Sequence, residues 1–240
     1  VPELFVPCVP AASPRAPHQS AAWSAFFGGL DKVLKRVSWP KGARAKAIET
    51  CRAWITQRLN GEDGLGAIYP AMANSVMMYD ALGFPADHPQ RAIARKSVEK
   101  LLAVHEQEAY CQPCVSPIWD TGLVCHALLE AASERASAAV KSGLDWLVPR
   151  QILDVRGDWT VRRPDLPPGG WAFQYANAHY PDVDDTAVVA MAMHRLQKET
   201  GHEDYRRPLE RAREWIVGMQ SENGAWGAFD ADNEFYYLNN

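Results

Sequence analysis

Three aspartates introduce an apolar segment in the last third of the sequence. They are Asp182, Asp184 and Asp185, and residues 187–191 that follow them are all apolar. Carboxylates held close together repel one another, and burial disfavours the charged form, so at least one of the three is expected to keep a proton. A protonated carboxyl beside apolar surface can protonate an apolar, weakly basic substrate. The segment therefore predicts a general acid that acts on a hydrocarbon.

Helix capping is the alternative role for the same acids. Asp182 or Asp184 can cap the helix that the apolar run predicts, while the remaining carboxylates favour the positive end of its dipole. The dipole contributes only about 0.3–1 kcal/mol at an exposed site, which lowers a pKa by less than about one pH unit. Burial and two like charges raise a pKa by more than that. We therefore predict an apparent pKa for the cluster above that of free aspartate.

Composition excludes several classes of protein. The chain has 240 residues, 47% of them hydrophobic and 22% charged, which is typical of a globular protein. Lys and Arg total 25 against 29 Asp and Glu, and this near balance argues against a nucleic-acid partner. No apolar run is long enough to span a bilayer. Five cysteines without a framework spacing indicate a reducing compartment, and Cys111 and Cys114 are interpreted as ordinary thiols rather than zinc ligands.

The first forty residues divide into two segments. Residues 1–19 hold five prolines and predict an extended arm or linker. Residues 20–38 predict an amphipathic helix, because their apolar side chains recur at intervals of three and four. Such a helix either packs on a core or lies in a membrane surface with its aromatic side chains inserted, and its aromatic start favours the membrane. The apolar side chains are Trp23, Phe26, Phe27, Leu30, Val33, Leu34 and Val37.

From about residue 43 the chain repeats a unit of two helices, with a period of roughly 45 residues. The outer helix ends in an aromatic–aliphatic pair, and a glycine-rich turn follows it. The inner helix begins with Pro and a capping residue, as at Pro70, Pro117 and Pro181. The copies of the outer phrase are Trp54-Ile55 with Gly61 and Gly64, Trp146-Leu147 with Gln151, Gly157 and Trp159, and Trp215-Ile216 with Gln220, Gly224 and Trp226.

Helix pairs placed side by side form an α/α toroid or an α-solenoid. We therefore predict an all-α fold in which residues 39–240 form a partial α/α barrel. Residues 154–181 lengthen the last interval with a Pro- and Gly-rich loop. We expect the repeat tryptophans to pack and hydrogen-bond between repeats; these are Trp54, Trp146, Trp159, Trp215 and Trp226.

The Gln-x-x-x-Gly-x-Trp phrase at 220–226, its looser copy at 151–159 and the Asp-Val-Asp-Asp-Thr-Ala phrase at 182–187 resemble triterpene cyclases. The resemblance is closest to the bacterial squalene–hopene cyclase family, and it covers the whole chain. It implies two α/α barrel domains around an apolar cavity, and protonation-initiated polycyclisation of squalene to hopene or hopanol. Because the chain starts at Val1 and stops in mid-phrase, we expect a central fragment of such an enzyme, inactive by itself.

The resemblance also assigns roles to individual residues. Asp184 matches the general acid, and Asp182 and Asp185 match its flanking carboxylates. Residues that match the substrate cavity are Trp119, Phe173, Ile68, Pro70 and Phe229. At Phe229 members of the family often carry Tyr, so roles that need a hydroxyl do not transfer.

The resemblance further implies squalene as the substrate, no metal and no cofactor. Residues 20–38 coincide with the family's membrane-surface helix, which implies a peripheral protein on the cytoplasmic side of a bacterial cell membrane. It also allows a homodimer.

Three alternatives stay open on the residues alone. The first is another class II cyclase of the diterpene or oxidosqualene type, although Arg162 and Arg163 are the only nearby basic pair for a diphosphate. The second is a non-catalytic α/α repeat module that binds a lipid or a partner. The third is a magnesium site at the aspartates, but metal-dependent terpene synthases use Asp-Asp-x-x-Asp, which is a different spacing.

Overall fold

The structure, a computed structural model, describes residues 20–37, 41–131, 133–174, 176–201 and 203–233. The arm predicted at 1–19 lies outside the described residues, as does residue 38 of the predicted amphipathic helix. The chain divides into two compact units, one made of residues 1–44 with 233–240 and the other of residues 45–232.

The first unit contains helix α1, Ala21–Leu34, within the segment where the apolar spacing predicts a helix. None of its residues is fully buried. Trp23 stacks on Phe27 with ring centroids 5.7 Å apart, and Phe26 meets both rings edge-on, so the three rings form one cluster at the start of the helix. Lys35 pairs with Asp31 at 2.6 Å. No described helix is both long enough and apolar enough to cross a membrane.

Seven further helices account for most of the remaining described chain. They are α2 (Lys41–Gln57), α3 (Tyr69–Ala81), α4 (Pro89–Glu99), α5 (Pro117–Ala131), α6 (Glu134–Leu147), α7 (Val183–Thr200) and α8 (Arg206–Gly218). Among the described residues they do not close a barrel. Two short antiparallel ladders join them: β1 (Leu102–Val104) with β2 (Ala109–Cys111), and β3 (Trp171–Ala172) with β4 (Pro181–Asp182).

In the second unit α3 packs on α4, α5 packs on α6 and α7, and α7 packs on α8. Small residues allow the close approach of α5 to its partners. A Cβ at Gly122 would lie 2.9 Å from Val188 Cγ1 of α7, and a Cβ at Gly143 of α6 would lie 2.9 Å from the Cys125 sulfur of α5. The main core forms between these helices, and its buried members include Ile118, Leu144, Leu147, Trp171, Met193 and Tyr205.

The last repeat turn is joined by its glutamine and tryptophan, and the bond of the tryptophan lies within one repeat rather than between repeats as predicted. The Trp226 indole Nε1 donates to the carbonyl of Ile216 at 2.7 Å, and Gln220 Nε2 donates to the carbonyl of Gly224 at 2.8 Å. The two side chains therefore satisfy carbonyls at the end of α8 and in the turn that follows it.

The preceding turn uses a different glycine and tryptophan from those predicted. Gln151 Nε2 donates to the carbonyl of Gly169 at 2.8 Å, and Trp171 Nε1 donates to the carbonyl of Leu147 at 2.8 Å. Gly169 and Trp171 thus take the places of Gly224 and Trp226, and the assignment to Gly157 and Trp159 was wrong. The physical reason is the inserted loop, which separates the glutamine from its Gly-x-Trp partner in sequence but not in space.

Two further repeat tryptophans, Trp54 and Trp146, are each covered by an arginine four residues further along. The Arg58 guanidinium lies 3.9 Å from the Trp54 ring, and the Arg150 guanidinium lies 3.6 Å from the Trp146 ring. Each arginine also donates to the carbonyl of the tryptophan it covers. The ends of α2 and α6 are therefore closed by a local cation–π pair.

Candidate active site

The aspartate segment is fixed in place by a short ladder and a cap. Asp182 ends β4 opposite Trp171 and is also the N-cap of α7, where its Oδ1 accepts a hydrogen bond from the Asp185 backbone N–H at 2.7 Å. The Thr186 hydroxyl donates to the Asp182 carbonyl at 2.6 Å and accepts from the Trp171 N–H at 2.9 Å. The capping role considered for Asp182 is therefore present, and it orients the first turn of α7.

The three carboxyls differ in burial. Asp182 and Asp185 are only 3% and 2% exposed, whereas Asp184 is exposed. Burial raises the pKa of Asp185 to about 9, and the side-chain hydrogen bond to Asp182 and the neighbouring negative charges act in the same direction. Burial also raises the pKa of Asp182, because it outweighs the hydrogen bonds from Asp185 that lower it. The upward shift predicted for the cluster is therefore found at its two buried members.

A cavity of about 300 Å³ opens beside the aspartates. It joins four of the five residues predicted to contact substrate to all three acids, and the rest of its lining is small or neutral. The lining comprises Gly66, Ile68, Trp119, Phe173, Asn177, Asp182, Asp184, Asp185, Ala228 and Phe229. Pro70 does not belong to this lining; it lies in the first turn of α3, two residues after Ile68.

The lining residues come from separate parts of the chain. Ile68 follows a strained turn in which Ala67 has φ of 55°, and its backbone bridges to Cys114. Trp119 stands in the first turn of α5, and Phe173 comes directly after β3. Because β3 pairs with β4, the ladder places Phe173 close to the aspartate segment. The aromatic and aliphatic side chains make one apolar wall beside the carboxyls.

Sequence reasoning missed Gly66, Asn177 and Ala228. Asn177 is 8% exposed, and its carbonyl accepts the Tyr180 N–H at 3.0 Å. The Ala228 carbonyl accepts the N–H of Val183 at 2.8 Å, which ties the last repeat turn to the start of α7. Asn177 and Ala228 lie in irregular loops and Gly66 lies in a three-residue 3-10 turn, so no periodic sequence pattern predicts that these residues line the cavity.

The other candidate centres considered from the sequence are a metal site and the cysteines. In the parts of the chain that the structure describes, no three His, Cys, Asp or Glu side chains are grouped to hold a metal ion. Cys111 and Cys114 are free thiols, as are Cys51 and Cys125.

Two family models divide the sequence between them. Residues 1–107 match the squalene-hopene cyclase N-terminal domain, and residues 115–240 match the squalene-hopene cyclase C-terminal domain.

Curated relatives carry the same family name. A squalene–hopene cyclase of Zymomonas mobilis is 59% identical over 249 residues, covering 100% of this chain and 38% of the relative. One from Bradyrhizobium diazoefficiens is 58% identical, covering 94% of this chain and 34% of the relative. One from Alicyclobacillus acidocaldarius is 36% identical, covering 97% of this chain and 36% of the relative. The chain thus spans little more than a third of the length of these relatives, and on its matched domains it belongs to the squalene–hopene cyclase family.

Proposed function

We propose that the enzyme containing this chain cyclises squalene, and that Asp184 protonates a terminal double bond to start the reaction. The single observation that carries the proposal is the meeting of three aspartates with an apolar, aromatic-lined cavity. The relatives are named squalene–hopene cyclases, which supports squalene as the substrate and a class II terpene cyclase as the enzyme.

The three carboxyls have different roles in this proposal because they differ in burial. Asp182 and Asp185 share a hydrogen bond and raised pKa values, so the proton belongs to the cluster rather than to one isolated group. Asp184 is the member exposed on the cavity side, and it is therefore the carboxyl that a bound alkene can reach. We assign Asp184 as the proton donor, and Asp182 and Asp185 as its flanking acids, of which Asp185, with a pKa of about 9, holds a proton at neutral pH.

Protonation of the alkene leaves a tertiary carbocation, which needs stabilisers that are not nucleophiles. Trp119, Phe173 and Phe229 offer ring faces, each worth about 0.5–2 kcal/mol to a nearby cation. Ile68 and Pro70 would contribute apolar surface around the chain of the substrate. The cation ends by losing a proton, to give hopene, or by capturing water, to give hopanol; the reaction is therefore of the isomerase or lyase type.

Water must be kept from the cation until the last step. Phe229 and Ile68 are 48% and 43% exposed in this chain, so the cavity is open to solvent. We expect the 240-residue chain by itself to be inactive for this reason.

The Asp184→Asn variant of the full-length enzyme tests the proposal. It should abolish cyclisation of squalene while leaving the circular dichroism spectrum unchanged, because the amide cannot deliver a proton. Asp154→Asn, an exposed aspartate of the inserted loop, is the matched control and should keep full turnover. Unchanged turnover in Asp184→Asn would favour the non-catalytic binding module instead.

We also propose that residues 20–38 form a membrane-surface helix, so that the enzyme sits peripherally on the cytoplasmic side of a bacterial cell membrane. The ring cluster of Trp23, Phe26 and Phe27, in which Trp23 and Phe26 are exposed, supports this assignment, because aromatic side chains favour the membrane interface. Flotation with phosphatidylglycerol liposomes should fall when Trp23 and Phe26 are both changed to Ser. Ala21→Ser with Ala25→Ser is the control on the same helix, and equal flotation of both double variants would contradict the assignment.

A homodimer of the full-length enzyme completes the proposal. Sedimentation equilibrium of the detergent-solubilised enzyme distinguishes a dimer from a monomer.

A further inference from the structure

Arg163, in the inserted loop, holds the end of α8. Its Nε donates to the carbonyl of Gly218 at 2.8 Å, and its Nη2 donates to the carbonyl of Gln220 at 2.8 Å. The same Nη2 pairs with the Asp232 carboxylate at 2.7 Å, and both side chains are three-quarters buried. One guanidinium therefore joins both ends of the segment 220–232. It is also fully engaged, so it is not a free cation for a diphosphate.

Asp232, at the end of segment 220–232, binds back to the start of the same segment. Its Oδ1 accepts the N–H of Glu222 at 2.7 Å, and its own N–H donates to the Ser221 hydroxyl at 3.0 Å. The hydrogen bond from Glu222 and the Arg163 charge lower the pKa of Asp232, so this carboxylate stays ionised. Asp232 has φ of 53°, in the left-handed region that a non-glycine residue adopts only when its surroundings hold it there.

The closed segment 220–232 reaches the aspartates directly. Its residues Ala228 and Phe229 line the cavity beside Asp184. The Ala228 carbonyl accepts the N–H of Val183, the residue immediately before Asp184, at 2.8 Å. A shift of this segment therefore changes both the apolar wall and the first turn of α7.

Helices α2 and α6 are closed by their own arginines, Arg58 and Arg150, each four residues after a tryptophan. In α8 the corresponding position after Trp215 is Met219, which cannot donate to a carbonyl. The guanidinium that donates to the carbonyls at the end of α8 is instead that of Arg163, in the inserted loop. This contact links the inserted loop to the segment that lines the cavity.

We propose that Arg163 is a positioning residue for the acid: through segment 220–232 it sets Phe229 against Asp184. The inference rests on the proposed cyclase function. Its expected signature is a change in the course of the reaction, because a misplaced ring leaves the cation less protected from water and allows early capture.

The test uses the full-length enzyme with Arg163→Ala, Arg163→Lys and Asp232→Asn. Steady-state kinetics with squalene give kcat and KM, gas chromatography with mass spectrometry gives the products, and calorimetry gives the unfolding temperature. Arg156→Ala is the control, since Arg156 lies in the same loop and, among the described residues, its side chain donates to the Pro164 carbonyl of that loop.

Arg163→Ala should lower kcat by about tenfold with KM nearly unchanged, since small displacements of reacting groups cost rate more than binding. Partially cyclised or hydroxylated products should rise. Arg163→Lys should restore part of the rate, because an ammonium reaches one acceptor but lacks the guanidinium fork. Arg156→Ala should behave as wild type.

Wild-type kcat and products in Arg163→Ala would overturn the inference, as would a rate loss that follows the folded fraction without any change of products. Should Arg163→Ala not fold, Asp232→Asn decides by the same product criterion, because it removes the ion pair and leaves both carbonyl contacts of Arg163. Failure of the proposed function is a separate result: the wild-type enzyme would then give no cyclised product, or Asp184→Asn would remain active.

Discussion

Replacing Asp185 by Asn should stabilise the folded chain and flatten its dependence on pH. The native carboxyl has a pKa of about 9, whereas an aspartate in the unfolded chain ionises near 3.9. A raised native pKa contributes stability that is fully present below pH 4 and is lost as the pH rises toward 9. Asparagine resembles the neutral acid and does not titrate, so the variant escapes this loss.

The size of the stabilisation follows from the difference between the pKa values of Asp185 in the folded and unfolded chain. Each pH unit between the two pKa values is worth about 1.4 kcal/mol, which sets a ceiling of about 4 kcal/mol at pH 7. Solvent reaches the cluster through the exposed Asp184 and screens part of this, so we expect about 2 kcal/mol at pH 7 and almost nothing at pH 4.

Urea unfolding of the chain at pH 5, 6, 7 and 8, followed by circular dichroism, measures the difference. The stabilisation of Asp185→Asn over wild type should grow steadily across this series. Asp154→Asn is the control and should give a curve parallel to that of wild type. Parallel curves for Asp185→Asn would refute the argument, since they would mean that Asp185 ionises in the folded chain at neutral pH.

Three further outcomes test the fold. Trp171→Phe removes a buried hydrogen bond to the end of α6, so it should lower the free energy of unfolding in urea by about 1–3 kcal/mol. Trp226→Phe removes a hydrogen bond at a 45% exposed site and should lower it by less than about 1 kcal/mol. Equal losses of stability in the two variants would contradict the structure. A Cβ at Gly157 would lie 2.1 Å from the backbone carbonyl oxygen of His179, so Gly157→Ala should lower the unfolding temperature by several degrees. An unchanged unfolding temperature would show that the loop around Gly157 is placed differently. Burial raises the pKa of Cys125 to about 11, so this thiol should not react with maleimide at pH 7 until urea is added. The exposed Cys51 should be labelled within minutes under the same conditions. Mass spectrometry of tryptic peptides measures the labelling at each cysteine.

The parts of the fold that sequence predicts best are those governed by local rules. Apolar spacing and capping residues predicted helices at 20–38, after Pro117 and after Pro181, and α1, α5 and α7 lie there. Membership of the squalene–hopene cyclase family confirms the all-α, α/α toroid prediction. These features depend on neighbours in sequence, so one chain contains the necessary information.

Pairings across the inserted loop were not accessible in the same way. Gly157 with Trp159 and Gly169 with Trp171 share the same Gly-x-Trp spacing, and only the second pair is used by Gln151. Nothing local distinguishes them, because the choice depends on where the loop returns to the helix ends. The lining residue Asn177 escaped notice for the same reason.

Capping and acid catalysis first stand as alternatives for the aspartates, but the geometry makes them compatible. Asp182 is the N-cap of α7 and Asp185 lies in its first turn, and both side chains are buried, whereas Asp184 is exposed. The hydrogen bond from the Asp185 N–H to Asp182 caps the first turn of α7, and taken alone it lowers the pKa of Asp182. Burial of the two carboxyls acts in the opposite direction and outweighs it, so both pKa values are raised. The same short segment therefore caps the helix and holds the proton, and it is the burial of the segment that holds the proton.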